Sequence, residues 1–221
     1  MSTTEHRQAA AHARLGQSQP NAAPLFHHVN LKTTRKAEMI EWYQRVLEMD
    51  VVFDHPAGAW LTNDSANHRI ALLALPGLRP DPDRRFHDGM HHFAFEFGTF
   101  EELNSKYLRL LDERIEPSVC MDHGMTLSYY YADPDFNFVE LQCDVFGDWD
   151  KSQDWMRNRL AEMEFVVGAA VDPAKVAHAA AGGMGIEAIH AKAYEGGFTP
   201  ETPPDLGTPP PPPGVPPILR V

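Results

Sequence analysis

The chain has 221 residues, enough for one ordinary domain or two small fused modules with a buried core, and too many for a peptide-like scaffold. Thirty-one Asp and Glu against nineteen Lys and Arg leave a formal charge of -12, which excludes a broad attraction to nucleic-acid phosphates or an anionic membrane and makes small molecules the expected partners. No apolar run approaches the roughly 18 residues of a membrane span, and the first residues (MSTTEHRQAAAHARLGQSQP) contain no apolar stretch of the signal-peptide kind, so a soluble, cytoplasmic protein is expected. Cys120 and Cys143 are the only cysteines, so neither a disulfide framework nor a thiolate cluster is available; a metal would fall to the twelve histidines and the carboxylates.

Residues 1–24 are rich in Ala, Gln and small polar groups with no repeating apolar face, and are expected to form a mobile arm. The first module, residues 25–86, opens with a strand over Leu25–Leu31 (LFHHVNL) and a helix from about Ala37 to Leu47 carrying Met39, Ile40, Tyr43, Val46 and Leu47 on one face. Strands at Val51–Phe53, Ala59–Leu61 and His68–Leu75 follow, separated by Pro56, Gly58, Asn63 and Asp64. The second module, residues 87–147, repeats this order: MHHFAFEF from Met90, a helix from about Glu101 to Glu113, then strands near Pro117–Met121, Thr126–Tyr131 and Phe136–Cys143. A shift of 64 residues carries His27-His28 onto His91-His92, Met39 onto Leu103, Tyr43 onto Tyr107, Val46 onto Leu110 and Leu47 onto Leu111. The expected fold is therefore α+β, two βαβββ modules that pack together around a concave space. A helical extension over 148–198, with Trp149, Trp155 and the segment DPAKVAHAAAGG, is expected to cover a sheet or an interface. In the Pro-rich tail, residues 199–221, the stretch TPETPPDLGTPPPPPGVPP (199–217) can form neither a helix nor a central strand and reads as an extended tail or strap.

His28 and His92 occupy equivalent positions of the two copies, and alternation along a strand would aim only one histidine of each pair inward. Glu140, in VELQ of the last strand, is a carboxylate inside an otherwise apolar strand, a costly placement unless it is paired or bound to a cation. Taken singly, each is more simply a satisfied structural residue. Two His-His pairs in register with such an acid point instead to a facial set of two histidines and one carboxylate, suited to non-haem Fe(II).

From His27 to Asp144 the pieces FHHVNLKT, EWYQRVLEMDVVF, MHHFAFEF and YYYADPDFNFVELQ resemble the vicinal oxygen chelate superfamily of glyoxalases, bleomycin and fosfomycin resistance proteins, epimerases and type I extradiol dioxygenases. The resemblance implies a vicinal oxygen chelate barrel and metal ligands at His28, His92 and Glu140. The family turn DPxGN reads DPDFN here, with Phe136 in place of a glycine. The strand HRIALLAL lacks the acid or amide of the four-ligand glyoxalases and epimerases, which leaves a three-ligand site. Among three-ligand members the resemblance favours the extradiol dioxygenases. His68 matches the histidine that stabilises and protonates oxygen species during turnover, Tyr130 the tyrosine that bonds to the diol, and His123 a further active-site histidine. The implied activity is Fe(II)-dependent, with Mn(II) as the other candidate metal: ring cleavage of a catechol-type diol by O2, in a homo-oligomer of two or more chains. The rival readings are a metal-dependent isomerase or lyase, a fosfomycin-type transferase, for which only Lys32, Arg69 and Arg85 offer positive charge, and a bleomycin-type sequestering protein, which needs no metal triad.

Overall fold

A computed structural model describes residues 24–210, 213–214 and 219–220. Apart from Pro24, the expected N-terminal arm lies outside the described residues, as do 211–212, 215–218 and 221 of the tail. The chain divides into two compact units, one running to Asp81 and taking in Asp133–Phe136, the other holding Pro82–Ala132 and the chain from Asn137 onward.

In the first unit, β1 (Val29–Lys32) leads into α1 (Lys36–Leu47), and then β2 (Asp50–His55), β3 (Gly58–Thr62) and β4 (Ile70–Leu73) complete a four-stranded sheet in the order β1-β4-β3-β2. β1 and β4 run parallel, a pairing that requires a crossover, and α1 supplies it. The helix buries Met39, Tyr43, Val46 and Leu47 at helical spacing and ends where Glu48 turns left-handed with φ 54°.

The second unit repeats the order. β5 (His92–Phe97), α2 (Phe100–Asp112), β6 (Val119–Asp122), β7 (Thr126–Ala132) and β8 (Phe138–Asp144) place β5 parallel to β8, with β7 and β6 beyond. α2 starts on a reciprocal cap, in which the Thr99 hydroxyl accepts from the Glu102 amide while the Glu102 carboxylate accepts from the Thr99 amide. The internal repeat holds in the cores, since Leu103, Tyr107 and Leu110 are buried as Met39, Tyr43 and Val46 are. It fails at one pair: Leu47 is buried, whereas its counterpart Leu111 is 38% exposed. Cys120 and Cys143 are free and buried, so they form no disulfide.

The extension carries α3 (Trp149–Arg159), then β9 (Gly168–Ala170), α4 (Pro173–Ala181) and α5 (Ile186–Tyr194). The sequence reading anticipated α3 and α4 but neither α5 nor β9, a strand too short to show an alternation. β9 extends the second sheet beside β6, and β10 (Leu219–Arg220), lying past the last proline, adds a parallel edge.

Strand starts need correction. The expected strand over 25–31 begins at Val29, the one from Met90 begins at His92, and that over 68–75 is confined to Ile70–Leu73. His27, His28, His91 and His68 therefore stand just outside the pleated backbone, where alternation of side chains does not apply.

The turn Asp133–Phe136, between β7 and β8, belongs to the first unit. There the Tyr43 hydroxyl donates to Asp133 Oδ2 at 3.0 Å, and Arg35 Nε donates to Asp135 Oδ1 at 3.2 Å. Phe136, which occupies the glycine position of the family turn, has φ 63° and an exposed ring. That conformation costs a residue with a Cβ about 1–2 kcal/mol. Phe136→Gly is expected to raise the unfolding free energy by about 1 kcal/mol, because the relieved strain exceeds the added freedom of the unfolded chain. A higher denaturant midpoint at unchanged slope is the readout.

Candidate functional site

The residues singled out by the sequence gather in two groups, one in each unit. In the first, the ring nitrogens of His27, His28 and His68 all lie within 4.8 Å of one another. His27 Nδ1 is 3.1 Å from His28 Nδ1, and the His28 and His68 ring centroids are 4.4 Å apart. Both histidines of this pair thus reach one place, contrary to the expectation that one would turn away. The cluster is held from behind by Arg69, which donates from Nη1 to the His27 carbonyl at 2.9 Å and from Nε and Nη2 to Asp64 at 3.0 and 2.8 Å. Burial pushes the His68 imidazole below its usual pKa, and the adjoining His28 and His27 push it the same way.

In the second unit a hydrogen-bonded run joins the other candidates. His92, the first residue of β5, sets Nε2 3.2 Å from Glu140 Oε2. Glu140, on β8, is buried at 5% exposure and lies opposite Tyr130 on β7, the cross-strand register that lets the Tyr130 hydroxyl donate to Oε1 at 2.9 Å. His123, in the turn between β6 and β7, places Nε2 2.8 Å from the same hydroxyl, and its Nδ1 bonds to the Val167 carbonyl. A carbonyl can only accept, so Nδ1 carries the proton and the Nε2 of a neutral ring is an acceptor. The one phenolic proton of Tyr130 accordingly has two acceptors, Glu140 Oε1 and His123 Nε2.

Burial pushes the Glu140 carboxyl up, but hydrogen bonds from His92, Ser128 and Tyr130 outweigh it and hold its pKa below the usual carboxylate value. Burial, reinforced by the Glu140 charge, drives the Tyr130 phenol far above its ordinary value. The phenol is thus a proton donor that stays protonated in the resting protein. A buried carboxylate oxygen 3.2 Å from an imidazole nitrogen is a donor set that a divalent cation fits.

The surroundings are apolar. Val119, Met121, Tyr130 and Ala170 form a buried cluster with Phe138, Val167 and Leu206 packed against it. Leu206 comes from the Pro-rich tail, which is pinned here: His91 Nε2 donates to the Leu206 carbonyl at 2.8 Å, and Arg85 pairs with Asp205. Arg69 and Arg85 are both engaged by carboxylates, so neither is left for a phosphonate. Sequence reading missed Val167, whose contribution is a backbone carbonyl that no side-chain pattern reports, and Leu206, which lies in a stretch readable only as extended.

Two parallel-closed βαβββ sheets, with paired histidines at the entry of each, define the class. Residues 25–141 match the Glyoxalase/Bleomycin resistance protein/Dioxygenase superfamily, and the chain belongs to it. Among curated proteins it is similar to biphenyl-2,3-diol 1,2-dioxygenase 2 of Rhodococcus globerulus, 38% identical over 82% of this chain and 95% of that protein. It is also similar to biphenyl-2,3-diol 1,2-dioxygenase 3 of the same organism, 38% identical over 73% of this chain and 84% of that one. Among solved structures it resembles lactoylglutathione lyase from Agrobacterium tumefaciens, with 17% identity and a TM-score of 0.42 over 57% of this chain and 96% of that one.

Proposed function

We propose that this chain is an extradiol ring-cleaving dioxygenase: it opens an aromatic vicinal diol beside its hydroxyl-bearing carbons and places both atoms of O2 in the product. The observation that carries the reading is the run His92, Glu140, Tyr130 and His123, found in a chain 38% identical to a biphenyl-2,3-diol dioxygenase along 95% of that relative. The metal, Fe(II) with Mn(II) as the alternative, would be held by His28, His92 and Glu140. The chemistry it would supply there is polarisation of the diol oxygens and a path for electron density between diol and O2.

The chain's own groups do the rest. His123 Nε2, held as an acceptor by the Val167 carbonyl, takes the proton that a diol hydroxyl gives up on binding, directly or through the Tyr130 hydroxyl. Tyr130, kept protonated by burial and by Glu140, offers its hydroxyl as a hydrogen bond to a substrate oxygen. His68, beside His28 and with its imidazole held toward the neutral form, receives and returns a proton on the oxygen side of the reaction. Phe138, Val119 and Leu206 exclude water from the neighbourhood of Tyr130. No helix among the described residues is long and apolar enough to cross a membrane. The exposed Val52 and Phe53 on edge strand β2 support a homo-oligomer.

Oxygen uptake by anaerobically purified, Fe(II)-loaded protein tests the reading, with catechol, 3-substituted catechols and biphenyl-2,3-diol as probes. Stoichiometric uptake with a yellow ring-fission product is expected. Iron bound without uptake on any diol would overturn it in favour of a non-oxidative member of the superfamily.

A further inference from the structure

The turn that carries His123 is enclosed by the C-terminal extension. Asp122, at the end of β6, is completely buried. Its Oδ1 accepts from the Gly124 amide at 2.8 Å, closing the turn around His123, and both carboxylate oxygens accept from Nδ1 of His190 on α5 at 2.9 Å. Gly124 has φ 91° and lies so close under the Trp155 ring of α3 that a Cβ there would stand 2.2 Å from it. Gly168 is equally tight: a Cβ would stand 2.0 Å from the Asp122 carbonyl, and this close approach brings the preceding residue, Val167, to His123 Nδ1. Three separate pieces of the extension, on α3, before β9 and on α5, thus converge on residues 122–124.

A fully buried carboxylate is costly unless its lone pairs are taken up, and Gly124 satisfies only one oxygen. His190 is what lets Asp122 stay buried in the orientation that closes the turn. We infer that His190 is a positioning residue: through Asp122 it fixes the 122–124 turn, and with it the tautomer and aim of His123 toward Tyr130. This inference rests on the dioxygenase reading and deepens it, assigning to the extension the alignment of the proton acceptor.

The test compares His190→Leu, which removes the donor, with His190→Asn, whose amide NH can stand near the place of Nδ1. In the Fe(II)-loaded enzyme acting on biphenyl-2,3-diol, His190→Leu is expected to lower kcat about tenfold or more, the low end for loss of an outer partner of an active-site group, with KM and iron content unchanged. His190→Asn is expected to recover most of the loss. In a His123→Ala background His190→Leu is expected to cost nothing further, since the group it positions is gone. Ring 15N spectra of His123 in metal-free protein give a readout independent of turnover: a single Nδ1–H tautomer in the wild type and His190→Asn, and averaged ring nitrogens in His190→Leu. The inference is overturned by an equal loss in both backgrounds, a loss lying wholly in KM or iron content, or an unchanged His123 spectrum in His190→Leu. A wild-type protein that binds iron yet consumes no oxygen would refute the dioxygenase reading while leaving the spectroscopic test standing. Should His190→Leu not fold, Asp122→Asn keeps an acceptor for the Gly124 amide, and a smaller drop of the same kind is expected from it.

Discussion

Glu140→Ala is expected to leave purification with far less than one equivalent of iron and to lose more than about 10²-fold in oxygen uptake, since even an outer partner of a metal ligand is worth 10–100-fold. The expectation follows from where the carboxylate sits. Glu140 is buried on β8, 3.2 Å from His92 Nε2, and is held ionised by the hydrogen bonds that outweigh its burial. Alanine removes the only anionic donor of the proposed ligand set and leaves two neutral imidazoles, a weaker site for a hard divalent cation. The fold should survive with some loss of stability, because the Tyr130 hydroxyl keeps His123 Nε2 as its acceptor and the His92 ring, 36% exposed, can turn to water. Iron analysis beside a thermal melt checks both halves. A variant that melts like the wild type and still holds a full equivalent of iron would remove Glu140 from the ligand set.

Much of the fold was legible because the second module restates the first. One helix pattern could be an accident, but burying Met39, Tyr43 and Val46, and again Leu103, Tyr107 and Leu110, at a fixed offset is a constraint that only a repeated unit imposes. Strand boundaries were less legible. At both His-His pairs the chain stays extended and apolar or aromatic on either side, so composition alone does not locate where ladder pairing begins. The boundary decides how the first pair behaves: His27 and His28 precede β1, so strand alternation does not govern where their rings point. Phe136 marks the opposite case: a motif position reserved for glycine keeps its left-handed conformation with the wrong residue, because the surrounding turn is held by Tyr43 and Arg35. The parts of the candidate site that escaped the sequence act through the backbone or across long separations. The Val167 carbonyl has no residue signature, and His190 reaches Asp122 from a helix with only a weak apolar face.

His123→Ala and His68→Ala are expected to part company with Glu140→Ala, keeping a full complement of iron while turnover falls by about 10²–10⁴, the range supplied by a positioned acid or base. For His123 the case is geometric: Nδ1 is committed to the Val167 carbonyl, leaving Nε2 as an acceptor 2.8 Å from a phenol that burial keeps protonated. Tyr130→Phe should resemble His123→Ala in kcat, since it removes the hydroxyl bonded to His123 Nε2 and proposed to pass the substrate's proton to it, and the double variant should be little worse than either alone. For His68 iron content decides more than rate does. Its ring stands 4.4 Å from that of His28, near enough for His27, His28 and His68 to be read as a metal-binding cluster of their own. Loss of iron on removing His68 would make it a ligand and displace it from proton transfer. Retained iron with normal turnover would strip it of any role in the reaction. Retained iron with lost turnover is the result its neighbourhood favours, because partial burial and two adjacent histidines push the imidazole toward its neutral form, and a neutral imidazole can receive a proton and return it within one cycle.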